Sequence, residues 1–165
     1  MPIADAVASA SAYLAEHPEE ARYRDSQATA TLDHGLVVSV SGPGGENAQT
    51  DMPTGIGGTA SVPSPGWLFR AATASCVASL IGIRAAATGV VLEHVEITVD
   101  SESDDRGILG LDPDVPAGAL SMRVGANVRA RGLSAEGTEA LIRWAVDHCP
   151  VLDTVRRPVP IELVI

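Results

Sequence analysis

Three features of the sequence predict an α+β domain. Leu120, Met122, Val124, Ala126, Val128 and Ala130 alternate with Ser121, Arg123, Gly125, Asn127, Arg129 and Arg131. This unbroken period of two belongs to a strand with one buried and one wet face. Ser64-Pro65 opens a stretch of near-continuous apolar character that reaches to Thr88 and stops at Gly89. That pattern predicts a long central helix buried on most of its sides, capped by Ser64, with Pro65 at the first helical position. The order of segments is helix, strands, long helix, strands, helix and strand, which is the order of an α+β fold.

The elements follow in turn. Ile3 to His17 is Ala-rich, and Ala6, Ala10, Tyr13 and Leu14 share a helix face. Two short alternating runs come next, Ala28 to Leu32 and Leu36 to Val40, with Asp33-His34-Gly35 between them as a hairpin turn. Ser41 to Pro65 is rich in Gly, Pro and polar residues and reads as loop, with one further strand around Ala48 to Met52. Val91 to Val99 is a strand with Val95, Ile97 and Val99 on one face, and Ser101 to Gly118 is an acidic loop. Ser134 caps a second helix from Ala135 to about Asp147, with Leu141, Ile142, Ala145 and Val146 as its inner stripe. Cys149-Pro150 ends it. Val159 to Ile165 reads as a closing strand, with Pro160 marking an edge or a strand start. No repeat and no internal boundary is visible. The whole of residues 1–165 therefore reads as a single domain, with residues 1–23 as an N-terminal helical extension.

Composition excludes some functions. The chain of 165 residues carries a formal net charge of −10, and its basic residues are all Arg. Without a basic stripe it is a poor nucleic-acid binder, because phosphate neutralisation dominates that affinity. The longest apolar region, Trp67 to Val91, is interrupted by Arg70 and Arg84 and reads as a core helix instead of a membrane span. The start lacks a basic segment followed by an apolar run. The expected setting is the cytoplasm, where two cysteines are free thiols or a reactive pair more readily than a structural disulfide.

Cys76 and Cys149 are the residues on which chemistry is expected. They are too far apart in sequence for a CxxC redox motif or a four-ligand zinc site. On spacing alone, each could equally be a small buried hydrophobe. Their surroundings carry more. Ser64-Pro65-Gly66-Trp67-Leu68-Phe69, followed by Ala71-Ala72-Thr73-Ala74-Ser75-Cys76, resembles the entry to the central helix of OsmC-like (organic hydroperoxide resistance) proteins. His148-Cys149-Pro150-Val151 and the run from Asp153 to Ile161 are similar to that family's second-cysteine signature and final strand. The resemblance covers roughly residues 24 to 165.

The resemblance implies an OsmC-like fold, with antiparallel sheets around the central helix in an intertwined homodimer. It implies a thiol-dependent peroxidase in which Cys76 attacks an organic hydroperoxide and Cys149 resolves the sulfenic acid to a disulfide. A dithiol, lipoyl-type in the family, then reduces that disulfide, and no cofactor or metal is called for. Two positions depart from the pattern. The family Glu ten residues before the first cysteine is Gly66 here, and the hairpin turn carries Asp33-His34-Gly35 without the family Arg. A catalytically weak dimer serving small-molecule binding or redox sensing is the alternative, and a structural Cys76–Cys149 disulfide is the third reading.

Thiolate chemistry sharpens the question. If Pro150 begins a helical turn, Cys149 gains from the positive end of the helix dipole. Cys76, mid-helix in apolar surroundings, is expected to have a raised pKa and to need a cation, for which Arg22, Arg24, Arg70 or His34 are candidates. Arg70 is about 240° around the helix from Cys76 and is expected to face elsewhere. His148 reads as a surface or capping residue. Thr73 and Ser79, at i−3 and i+3 from Cys76, read as side chains bonding back to helix carbonyls. Glu102 with Asp104-Asp105-Arg106-Gly107 lacks the spacing of a calcium loop and reads as a solvated loop. Gly55-Ile56-Gly57-Gly58 lacks the Lys and the immediate helix of a phosphate cradle. His17, His34, His94 and His148 show no metal-ligand spacing.

Overall fold

A computed structural model describes residues 1–165. It contains ten helices and strands: α1 (Ile3–Glu16), β1 (Thr29–His34), β2 (Val37–Ser41), β3 (Asn47–Thr50), α2 (Pro65–Ala87), β4 (Val91–Glu102), α3 (Asp105–Ile108), β5 (Ser121–Arg131), α4 (Ala135–Asp147) and α5 (Pro150–Arg156). The chain forms two packing units, one of Ser11–Phe69 and one of Met1–Ala10 with Arg70–Ile165.

In the first unit, β1, β2 and β3 make a three-stranded antiparallel sheet in that order. The hairpin closes through Gly35 and Leu36, flanked by the His34–Val37 pair, and Gly35 takes the positive φ of 55° that a tight turn needs. After β3 the chain folds around one carboxylate. Asp51 is 1% exposed and accepts from the N–H groups of Met52 (2.7 Å), Thr59 (3.0 Å) and Ser61 (3.1 Å). The hydroxyls of Thr59 (2.6 Å) and Ser61 (3.1 Å) also donate to it. The Thr59 hydroxyl most, then the backbone N–H groups of Ser61, Met52 and Thr59, hold this carboxylate well below the usual carboxylate range against the opposing effect of its burial. Gly58 closes over this clip: a Cβ there would lie 1.8 Å from the Met52 carbonyl oxygen, so no other residue fits without moving the backbone.

In the second unit, β4 and β5 form a long antiparallel pair from Val91–Arg131 to Glu102–Ser121, with an irregularity between Leu92 and His94. One face of the pair presents Val95, Ile97, Val124 and Val128 to the core. The other carries ion pairs to solvent, Arg123–Asp100 at 2.9 Å and Arg131–Glu93 at 3.4 Å. Such exposed pairs add little stability, so the packed face holds the hairpin in place.

α2 starts where its cap predicts: the Ser64 hydroxyl accepts from the Trp67 N–H at 3.2 Å. It ends at Gly89, whose φ of 72° lets the Val90 N–H reach the Ala85 carbonyl at 2.8 Å. The expectation of burial on most sides is corrected. Within one chain only Thr73, Val77, Ile81 and Ala85 are buried, a single stripe at four-residue spacing. At 23 residues α2 is long and apolar enough to cross a bilayer. Here its stripe joins Leu141, Ala145, Cys149 and Leu152 in the core.

Two further expectations change. The closing strand over Val159–Ile165 is not formed: these residues pair with no strand, and Ile161, Leu163 and Val164 are each more than 80% exposed. The alternation is present, but a strand needs a neighbour and no sheet edge of this chain takes it. The acidic loop after Ser101 contains the short helix α3, capped by Asp104, whose carboxylate accepts from the Arg106 N–H at 3.0 Å.

The core stripe gives a direct check. Replacing the fully buried Ile81 by Ala is expected to remove about 2–5 kcal/mol of stability, read as a lower urea midpoint with little change in slope.

Candidate functional site

Cys76 sits in the middle of α2, next to the buried stripe, and is half-buried. Cys149 is fully buried in the core cluster that Cys76 packs against. Both are free thiols. Their proximity follows from local chemistry at the end of α4. The helix closes with the His148 N–H on the Trp144 carbonyl at 3.0 Å, and Pro150 has no N–H to continue it. The chain turns at Cys149, which takes extended dihedrals (φ −73°, ψ 112°) as the N-cap of α5, with Pro150 at the first helical position. Leu152 then drops into the core.

This turn brings α5 to Cys76. Cys76 packs against the cluster that holds Cys149, near enough for Cys149 to raise its thiol and for the Val151 N–H to lower it. Val151 is the second residue of α5, so its N–H is one of the donors that a helix start leaves without an intrahelical acceptor. The helix-start support expected for Cys149 thus reaches Cys76.

The balance is still unfavourable to a Cys76 thiolate. Burial pushes the Cys76 thiol up most strongly, and the neighbouring Cys149 pushes the same way, while the Val151 N–H pulls it down. None of the groups setting this balance is a cation. Arg70, a candidate for that role, donates through Nη1 to the Ser101 hydroxyl at 3.2 Å and is turned toward β4, as its helix angle predicts. Arg22 and Arg24 lie in the exposed segment before β1, and His34 ends β1.

A family model described as OsmC-like protein matches residues 58–164. The chain belongs to the OsmC-like family. Solved structures agree in fold. An OsmC-like protein from Mycoplasma pneumoniae superposes with a TM-score of 0.70 at 14% identity, over 83% of this chain and 91% of that one. An organic hydroperoxide resistance protein from Legionella pneumophila gives 0.58 at 25% identity, over 82% and 91%. One from Bacillus subtilis gives 0.52 at 20%, over 82% and 93%. No curated protein matches this chain significantly.

The remaining candidates in this OsmC-like chain take structural places. His148 stacks on Trp144 (centroids 4.2 Å apart, planes 17° apart) and its Nδ1 lies 2.7 Å from the Trp144 carbonyl, a capping arrangement at the end of α4. The Arg84 guanidinium lies 4.9 Å from the centroid of the same indole. Thr73 is buried in the α2 stripe and Ser79 is exposed. Gly66 lies exposed in the first turn of α2. Asp104 is committed to Arg106, which also reaches Asp112 at 3.3 Å. Gly55 to Gly58 fold onto the Asp51 clip. The structure gathers His17 with Glu19 and Glu20, their ligand atoms within 4.8 Å of one another, which the spacing of the histidines alone does not show. Glu20 accepts from the Tyr13 hydroxyl at 2.6 Å.

The Val151 N–H, the Trp144–His148 stack and the Asp51 clip escape sequence reasoning. Only the Cys-Pro pair hints at the first of them, since Pro at a helix start predicts free N–H groups just after it.

The raised Cys76 thiol makes alkylation by iodoacetamide a pH readout. In the wild-type chain, labelling of the Cys76 peptide is expected to climb only above the ordinary thiol range, because the protonated form persists as pH rises. Cys149→Ala removes one raising contribution and is expected to move the profile to lower pH. Full Cys76 labelling at neutral pH in the wild type would contradict this balance.

Proposed function

We propose that this OsmC-like chain is a cytoplasmic, thiol-dependent peroxidase of the stress response that acts on organic hydroperoxides as a homodimer, the whole of residues 1–165 forming one domain with residues 1–23 as its N-terminal extension. The observation that carries this reading is that two free thiols, Cys76 and Cys149, pack in one cluster, with the helix-start N–H of Val151 favouring the Cys76 anion.

The steps follow from that packing. The Cys76 thiolate attacks the peroxide oxygen distal to the alkyl group, an S–O bond forms, the O–O bond breaks, and the alkoxide takes a proton to leave as an alcohol. Cys76 is then a sulfenic acid. Cys149 attacks its sulfur, the S–S bond forms, and the hydroxyl leaves as water with the Cys149 proton. A dithiol, the lipoyl-type reductant that the family resemblance implies, returns both cysteines to thiols by exchange and is itself oxidised to a disulfide. The Val151 N–H favours each anionic sulfur state by donating to it.

The raised Cys76 thiol, with Gly66 in place of the family Glu and no Arg in the hairpin turn, favours a second reading. In it the same thiol pair is a slow redox sensor or small-molecule binding dimer and turns over little peroxide.

Turnover of cumene hydroperoxide with dihydrolipoamide separates the readings. The peroxidase reading expects steady consumption that Cys76→Ser lowers by at least about a hundredfold, the scale on which loss of a nucleophile acts. Cys149→Ser is expected to leave a single turnover and no more. Negligible consumption by the wild type, or consumption that survives Cys76→Ser, rejects the peroxidase and leaves the sensor.

A further inference from the structure

The end of α1 gathers metal-ligating side chains that the thiol chemistry does not use. His17 closes the last turn of the helix, its N–H on the Tyr13 carbonyl at 2.8 Å. Pro18 has no N–H to extend that helix, and the chain drops into a short 3₁₀ turn, Pro18–Ala21. There the Glu20 N–H reaches the His17 carbonyl at 3.1 Å. Three residues complete one turn of a 3₁₀ helix, so Glu20 comes round to the side of His17. The ligand atoms of His17, Glu19 and Glu20 thereby lie within 4.8 Å of one another, with His17 Nδ1 3.7 Å from the Glu19 carboxylate.

Tyr13 braces this group. Its ring packs against the His17 imidazole with centroids 4.5 Å apart, and its hydroxyl donates to Glu20 Oε2 at 2.6 Å. That bond leaves Glu20 Oε1 open to a further partner, and a hydrogen-bonded neighbour of this kind is what orients a metal-binding carboxylate. Charge sets the cluster apart. Most ion-paired carboxylates of the chain meet a guanidinium, as Asp100 does with Arg123, Glu93 with Arg131, and Asp104 and Asp112 with Arg106. Glu19 has only the His17 ring within ion-pair distance, and Glu20 has only the Tyr13 hydroxyl. Two like charges held this close cost free energy that a cation between them would relieve.

We propose that His17, Glu19 and Glu20 form a binding site for a zinc-type divalent cation, with Tyr13 orienting Glu20. An imidazole nitrogen and two carboxylate oxygens are a donor mixture that zinc accepts, whereas calcium and magnesium favour shells made of oxygen alone. Tetrahedral zinc with ligands at about 2.0–2.1 Å sets its donors roughly 3.4 Å apart. The His17–Glu19 separation is already close to that, and Glu19 and Glu20 are exposed side chains that close the remainder by rotation. Three protein donors leave the fourth position to water. The bound ion ties the last turn of α1 to the turn that follows it. This site is separate from the thiol chemistry and stands or falls without it.

The test uses the full, untagged, reduced chain and the metal alone, as Zn²⁺ in competition with a zinc-chelating dye and as Co²⁺ followed by absorption. The proposal expects one Zn²⁺ per chain, and weak visible Co²⁺ bands of nitrogen and oxygen coordination without the intense near-ultraviolet band of a cobalt thiolate. His17→Gln and Glu20→Gln are each expected to weaken Zn²⁺ by more than about tenfold, and Tyr13→Phe by about tenfold, the scale on which loss of an orienting neighbour acts. His94→Gln, which removes the imidazole facing Glu96 on β4, is expected to change nothing. Absence of saturable Zn²⁺ binding overturns the proposal. So does an affinity unchanged in His17→Gln, or a thiolate band that disappears in Cys76→Ser, which would assign the metal to the cysteines.

Discussion

The proposed chemistry depends on the backbone N–H of Val151, the one group near Cys76 that favours its anion. That N–H is free because Pro150 stops α4 and restarts the chain as α5 within two residues of Cys149. Had α4 run on, Cys149 would be one more residue of a helix face, and no free N–H would meet α2. Leu152 anchors the turn in the core beside Cys149, so the placement of the donor is set by packing and not by a mobile loop. The buried stripe of α2 holds the other side of the contact, since Val77 next to Cys76 is wholly buried.

That contact sits in an electrostatic compromise. Desolvation and a second thiol favour the protonated form of Cys76, while a single backbone donor favours the anion. A half-buried thiol without a cation resists ionisation and, with it, accidental oxidation. In the proposed cycle the neighbouring Cys149 disfavours the first thiolate, yet it is the group that captures the sulfenic acid before further oxidation makes the product irreversible. In that proposed cycle the same residue restrains the first step and completes the second.

Much of this was legible in the sequence, and the reasons are local. The Ser64-Pro65 start of α2, the Ser134 cap of α4 and the period of two in β5 are written in nearest-neighbour chemistry, and each element forms where that chemistry places it. The two cysteines were legible as a pair only through their flanking motifs. What escaped depends on groups far apart in sequence or on no side chain at all. Asp51 finds Thr59 and Ser61 eight and ten residues on, inside a stretch that reads only as loop. The Val151 donor is backbone, to which the identity of the residue is almost indifferent. The tail from Val159 carries the alternation of a strand, but pairing requires a neighbour that the pattern cannot specify.

The central claim is that Cys76 and Cys149 of one chain act as a unit on a peroxide. Treating the reduced protein with one equivalent of cumene hydroperoxide, blocking the remaining thiols and mapping the peptides by mass spectrometry tests it most directly. The account predicts an intrachain Cys76–Cys149 disulfide as the main product in the wild type, and a sulfenic acid on Cys76 trapped by dimedone when Cys149 is replaced by Ser. Two thiols still free after the peroxide is added, or a sulfenic acid found on Cys149 instead, would contradict it.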